Sequence, residues 1–193
     1  MIKGLINVGG SHNYPLNDTL TRQMLLRVGK YQISEKRNVT AWGKIIAYCE
    51  SHTGNFNLEE SQQLEKYASE AEGYIDSVKQ INFASLIIKN TIKDKSPLTA
   101  ILINLLYSED SDFNKELAKT QFSDSLNKVT VPVLILWGKY DFVCPQALGE
   151  DFYNRINSTE KRMVISENSG HNLMLQDEKL FCDEVNAFIL NNK

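Results

Sequence analysis

Residues 131–137, Val-Pro-Val-Leu-Ile-Leu-Trp, form a run with no charge and no alternation between apolar and polar side chains. Successive side chains of a β-strand point to opposite faces, so a strand of this composition is apolar on both faces and needs cover on both. An interior strand of a parallel sheet, with helices on either side, meets that demand. A hairpin sheet with one wet face does not.

The sequence after this run keeps to the parallel scheme. Residues 146–156 read as a helix, 162–166 as a shorter strand and 178–190 as an amphipathic helix. Residues 2–8 also have a strand-like mix of Ile, Leu and Val, and they stop at Gly9-Gly10, where the backbone can turn without a Cβ penalty. Between these strand regions, from residue 17 to about 126, the pattern is helical: 18–30, 35–51, 58–72, 75–93, 97–107 and a short piece near 113–119. Asn57 followed three residues later by Glu60 resembles a capping box, and Ser96-Pro97 places an acceptor at N-cap and a proline at N1. Leu98, Ile101, Leu102, Leu105 and Leu106 recur at three- and four-residue steps. That stripe predicts core packing rather than a membrane surface, because the opposite face lacks basic residues. The expected class is α/β, divided into residues 1–16, 17–126 and 127–193.

An apolar content of 42% in 193 residues is enough for a core, which argues against disorder. The net charge of -3 is spread along the chain, and no stretch combines dense Lys/Arg with interleaved aromatics, so a nucleic-acid partner is not expected. Three cysteines, Cys49, Cys144 and Cys182, stand far apart with no C-x-x-C pair and no histidine at metal-ligand spacing. The sequence therefore predicts no metal and a reducing, cytoplasmic setting. Residues 1–8 hold Lys3 and reach glycine too soon for a signal peptide. No run approaches the roughly 18 apolar residues of a membrane span, so no membrane partner is expected.

Residues able to do chemistry gather where the two later strands end. Asp141 follows the first, with Pro145 fixing the loop after it, and His171 follows the second in Ser169-Gly170-His171. Ligands of parallel α/β sheets sit beyond the carboxyl ends of the strands, so this topology brings the acid and the histidine together. Either residue alone reads as an ordinary loop residue. The pair on adjacent strand ends reads as an acid that orients a catalytic imidazole.

The stretch VPVLILWGKYDFVCP, followed by SGHNLMLQDEKLFCDEVNAFI, resembles the last third of an α/β-hydrolase, where the acid follows the seventh strand and the histidine the eighth. The resemblance covers residues 127–191 closely. KGLINVGG, residues 3–10, is similar to the family's sixth strand, and the helices that follow occupy the place of its cap domain. The layout is similar to that of proline iminopeptidases and epoxide hydrolases. The resemblance implies a partial α/β-hydrolase parallel sheet, the equivalents of the last three strands, with an inserted all-helical cap. It also implies a C-terminal portion of a hydrolase acting on a small ester, amide or peptide substrate, with no cofactor. Asp141 would hold the imidazole of His171, and His171 would act as general base toward the nucleophile and then toward water.

The family carries its nucleophile on G-x-S-x-G between the fifth strand and the next helix. Neither element has a counterpart here. Gly9-Gly10-Ser11-His12-Asn13 stands in the right order relative to Asp141 and His171, but its fifth position is Asn13, and Pro15 is expected to break a tight helix start. Ser11 and His12 are therefore read as substrate-binding residues at the entrance to the helical segment. Cys144, three residues after the acid, is read as structural. Loss of a triad nucleophile removes about six orders of magnitude in kcat, so the isolated chain is expected to be inactive and truncated relative to its family. Residues 2–8 are expected to expose a strand edge, open to self-association or to a nucleophile-bearing N-terminal half. The alternative reading is a non-catalytic interaction protein or pseudoenzyme whose helices bind a partner.

Overall fold

The computed structural model describes residues 2–85 and 112–192. β1 (Leu5–Val8) is followed by three helices, α1 (Tyr14–Ser34), α2 (Val39–Ser51) and α3 (Leu58–Glu72), and by the short α4 (Asp112–Leu117). β2 (Val133–Gly138), α5 (Gln146–Arg155), β3 (Lys161–Ser166), α6 (Leu173–Gln176) and α7 (Glu178–Asn191) complete the chain. The three strands form one parallel sheet in the order β1-β2-β3.

β2 lies in the middle, and all six of its residues are buried, as its apolar composition requires. Val133, Ile135 and Trp137 pack with Leu148, Phe152 and Ile156 of the α5 layer, while Leu134 and Leu136 pack with Leu173, Phe181 and Phe188 of the α6–α7 layer. Both faces of the strand are thus covered. β1 shares only one edge with β2. The Leu5 and Gly9 N–H groups donate to Pro132 and Leu136 carbonyls at 2.9 and 3.1 Å, so the alternation of a parallel ladder turns the backbone groups of Ile6 and Val8 away from β2. Among the described residues no strand pairs with that outer edge.

The helices between β1 and β2 build a separate core from Leu25, Trp42, Ile45, Cys49, Leu64 and Ala68. Phe142, in the loop after β2, joins this core with its ring 5.9 Å from that of Trp42. The loop that carries Asp141 is therefore anchored in both the sheet and the helical layer.

Two sequence expectations need correction. Pro15 does not break a helix start; α1 begins at Tyr14, before the expected residue 18, and Pro15 occupies its first turn, where a missing N–H leaves no bond unmade. Asn13 caps this helix, its side chain accepting the Leu16 N–H at 3.0 Å. The helix expected from residue 75 does not begin there. Residues 73–80 are turns and irregular backbone, in which the Val78 N–H donates to the Ile75 carbonyl at 3.1 Å, and Ile75 and Val78 enter the helical core. A three-residue spacing serves a tight turn as well as a helix. The Asn57–Glu60 capping box is present with both bonds, at 3.0 and 2.8 Å. The helix expected at 97–107, with Ser96-Pro97 before it, lies outside the described residues.

Candidate active site

The parallel register places the carboxyl ends of all three strands at one edge of the sheet, and there Gly9, Asp141 and His171 meet. Gly9 has a φ of +56°, and a Cβ on it would lie 3.1 Å from Asp141 Oδ2 and 3.4 Å from His171 Nδ1. Any other residue would be strained and would crowd the acid–histidine pair. His171 Nδ1 is 3.1 Å from Asp141 Oδ2. Asp141 is 1% exposed, and its second oxygen accepts the Cys144 N–H at 2.7 Å. With a carboxylate at Nδ1 holding the proton there, Nε2 is the nitrogen left to accept one.

Burial pushes the Asp141 carboxyl above its ordinary range, opposed by the hydrogen bond and charge of His171 and by the N–H groups of Cys144 and Val143. The hydrogen bond from Asp141 raises His171, and burial of the imidazole works against it. The raised imidazole is the direction that governs the pair, because a buried carboxylate favours the charged form of its neighbour.

A cavity of about 280 Å³ opens beside His171, bordered by Gly9, Gly10 and Ser11 on one side and by Tyr14, Asp18 and Glu65 on the other. Burial raises Asp18 to about 6, moderated by the Ser61 hydroxyl, which donates to it at 3.0 Å. Glu72, in the last turn of α3, is 8% exposed and accepts the His171 backbone N–H at 3.0 Å. Burial and then the charge of Asp141 push it up to about 7.

Ser11 lines the cavity, but its buried Oγ has no hydrogen-bond partner, so it is not bonded to His171. His12 is not among the residues lining that cavity. Its Nε2 lies 2.9 Å from Asp151 Oδ2, and its ring packs 5.8 Å from that of Phe152. Cys144 is 7% exposed, its thiol pushed far up by burial, and its carbonyl accepts the Trp137 indole N–H at 2.6 Å. These contacts make it part of the packing behind the acid.

Asp18, Glu65 and Glu72 were not singled out from the sequence. One signal was present: Leu64, Ala68, Ala71 and Glu72 share the buried face of α3, so a glutamate stands where an apolar residue is expected. Among the described residues no group of three or more His, Cys, Asp or Glu side chains is arranged to hold a metal ion. No helix among them is long and apolar enough to cross a membrane.

Residues 116–178 match the family described as serine aminopeptidase, S33. An 81-residue stretch is 26% identical to the probable aminopeptidase YbaC of Bacillus subtilis (strain 168), covering 42% of this chain and 26% of that protein. Among solved structures, VinJ superposes with a TM-score of 0.56 at 15% identity, over 99% of this chain and 58% of its own. A deep-sea metagenome enzyme from the Medee basin, MGS-M2, superposes with a TM-score of 0.48 at 16% identity, over 100% of this chain and 58% of its own. The chain thus spans a little over half the length of these structures and about a quarter of YbaC.

Proposed function

We infer that this chain, which has the fold of the α/β-hydrolase superfamily, supplies the acid and the histidine of a hydrolase that cleaves a small ester, amide or peptide through a covalent intermediate. The observation that carries this reading is the His171 Nδ1–Asp141 Oδ2 hydrogen bond at two successive strand ends, facing a cavity. In the proposed cycle, Nε2 of His171 takes the proton of the attacking hydroxyl and passes it to the leaving group. It then takes a proton from the water that attacks the intermediate and returns that proton to the nucleophile's oxygen as the covalent bond breaks. Asp141 stabilises the imidazolium at each stage.

Among the candidate substrates, the cavity favours one with a protonated amine. Asp18 and Glu65 border it, and no Lys or Arg is among its lining residues. An amino-terminal substrate agrees with the aminopeptidase descriptions of the matching family and of YbaC. The helices α1 to α3 are read as a cap over the strand ends.

The nucleophile is proposed to come from polypeptide that pairs with the outer edge of β1. The backbone groups of Ile6 and Val8 point to that edge, and its neighbour Gly9 touches the acid–histidine pair. Ser11 is not proposed as that nucleophile, because its Oγ has no hydrogen-bond partner. The chain by itself is accordingly expected to be inactive. The test compares this chain with a longer polypeptide in which its reading frame is extended upstream through a G-x-S-x-G-bearing strand. Hydrolysis of aminoacyl p-nitroanilides and p-nitrophenyl esters is followed. Turnover by the longer form only, abolished by His171→Ala, is the expected result. Full turnover in the His171→Ala variant would overturn the assignment.

A further inference from the structure

We propose that Glu72 is a positioning residue for the acid–histidine pair: its carboxylate accepts the N–H of His171 at 3.0 Å and lies against Gly170, tying the last turn of α3 to the loop that carries the imidazole. Phe142, which directly follows Asp141, is buried in the same helical core as Ala71, the neighbour of Glu72, so the loop that carries the acid is also held against this layer. Glu72 reaches the His171 loop through its backbone and touches neither the imidazole nor the Asp141 carboxylate through this bond. It fixes the His171 loop on α3 and thereby the Nδ1–Oδ2 hydrogen bond.

Three observations support this role. Glu72 is 8% exposed, and a buried carboxylate is retained only where its oxygens are bonded. The carboxylate lies directly on Gly170, where an added Cβ would fall 2.2 Å from Oε2 and 2.5 Å from Cδ, so the residue before His171 must be small for the clamp to close. Phe142 is fully buried and packs on Trp42, which holds the loop of Asp141 to the same helical core that α3 joins.

His171 is faced by Asp141 from the loop after β2, by Glu72 and Glu65 from α3, and across the cavity by Asp18 and Tyr14 of α1 and by Cys144. No Lys or Arg lines either cavity that His171 borders. The inference rests on reading Asp141 and His171 as the catalytic pair, but its test needs no turnover. A failure here would leave that reading standing.

The chain has three histidines, His12, His52 and His171, so their Cε1–H resonances can be followed through a pH titration by NMR and that of His171 assigned with His171→Gln. Glu72→Ala is expected to lower the His171 midpoint by about one pH unit or more, toward the ordinary imidazole value. Gly170→Ala keeps the charge but displaces the carboxylate, and it is expected to lower the midpoint in the same direction. Glu72→Gln keeps an acceptor without the charge and is expected to retain most of the wild-type elevation. His171 midpoints unchanged in all three variants would overturn the proposal. So would equal shifts in Glu72→Gln and Glu72→Ala with none in Gly170→Ala, because that pattern assigns the effect to charge alone. If Glu72→Ala does not fold, the other two variants still decide the question.

Discussion

His171 and His12 each bond a carboxylate, Asp141 at 3.1 Å and Asp151 at 2.9 Å, and by distance alone His12 has the shorter pair. Their surroundings differ. Asp151 also accepts Arg155 Nε at 2.6 Å, and although burial works against its ionisation, Arg155 and then His12 outweigh that and lower its carboxyl. Asp141 is almost wholly buried, and the groups that offset its burial are His171 and two backbone N–H groups. Its charge therefore acts on the imidazole instead of being shared with a guanidinium. His171 opens onto a cavity, whereas His12 is 5% exposed and packed against Phe152. The histidine–carboxylate distance does not separate the two pairs; the guanidinium on Asp151 and the cavity beside His171 do.

The strongest way to break this comparison is to remove each imidazole in a turnover-competent form of the protein. His171→Ala is expected to lower kcat by about four to six orders of magnitude, and Asp141→Asn by about four. His12→Ala is expected to leave kcat at its wild-type level. Steady-state hydrolysis of a chromogenic substrate checks all three, and a comparable loss in His12→Ala would erase the distinction between the pairs.

The part of this contrast that was legible in the sequence follows from strand topology. An unbroken apolar run dictated a strand covered on both faces, and the residues just past it and past the next strand had to meet at one sheet edge, which located Asp141 and His171. His12 could not be placed the same way, because its partner lies 139 positions away on α5, and nothing in Ser11-His12-Asn13 encodes that contact. Pro15 was misread because proline is a helix breaker in the interior and a helix starter in the first turn, and the Asn13 cap that decides between these roles is a three-dimensional contact. Glu72 escaped notice because polar residues at the end of a helix are usually solvated. Here the His171 loop packs onto α3, and its backbone N–H bonds the carboxylate.

The next contrast is in stability against pH. Glu72 is raised from 4.5 to about 7 in the folded chain, so between these values the native state holds a proton that the unfolded state has lost. Stability from this group is complete below about pH 4.5 and falls as pH rises through 7, by up to about 3 kcal/mol. His171, also raised, works in the same direction: its contribution is present below its unfolded value and is lost as pH rises through its folded one. The chain is expected to be more resistant to urea at pH 5 than at pH 8, and Glu72→Gln is expected to flatten the difference. Unfolding followed through the fluorescence of the buried Trp42 and Trp137 measures it. A pH-independent midpoint in the parent chain would show that the buried carboxyl is ionised at no cost.

His12→Ala sharpens the comparison from the other side. It deletes the bond to Asp151 and the contact with Phe152, and a cost of about 1–3 kcal/mol in urea unfolding is expected. Asp151 keeps Arg155, so the carboxylate is not left unpaired and the loss should not exceed that range. His171→Ala leaves the almost wholly buried Asp141 with backbone N–H groups alone, so it should cost at least as much stability as His12→Ala while costing far more activity.

The smallest effect is expected at Ser11, which stands next to His12 in sequence and lines the cavity beside His171. Its Oγ is buried without a hydrogen bond, so Ser11→Ala removes no interaction and exposes no partner. The change in stability should lie within about 0.5 kcal/mol, and in the stabilising direction if the unmet hydroxyl carries a desolvation cost. A nucleophile in this position would need Nε2 of His171 within hydrogen-bond reach, and such a bond would have satisfied the hydroxyl. Treatment of the chain with a fluorophosphonate, followed by mass mapping, should therefore leave Ser11 unmodified. An adduct on Ser11 that disappears in His171→Ala would mean that the loop closes onto the imidazole in solution. His171 would then have its nucleophile within this chain, and the outer edge of β1 would lose its proposed role in supplying one.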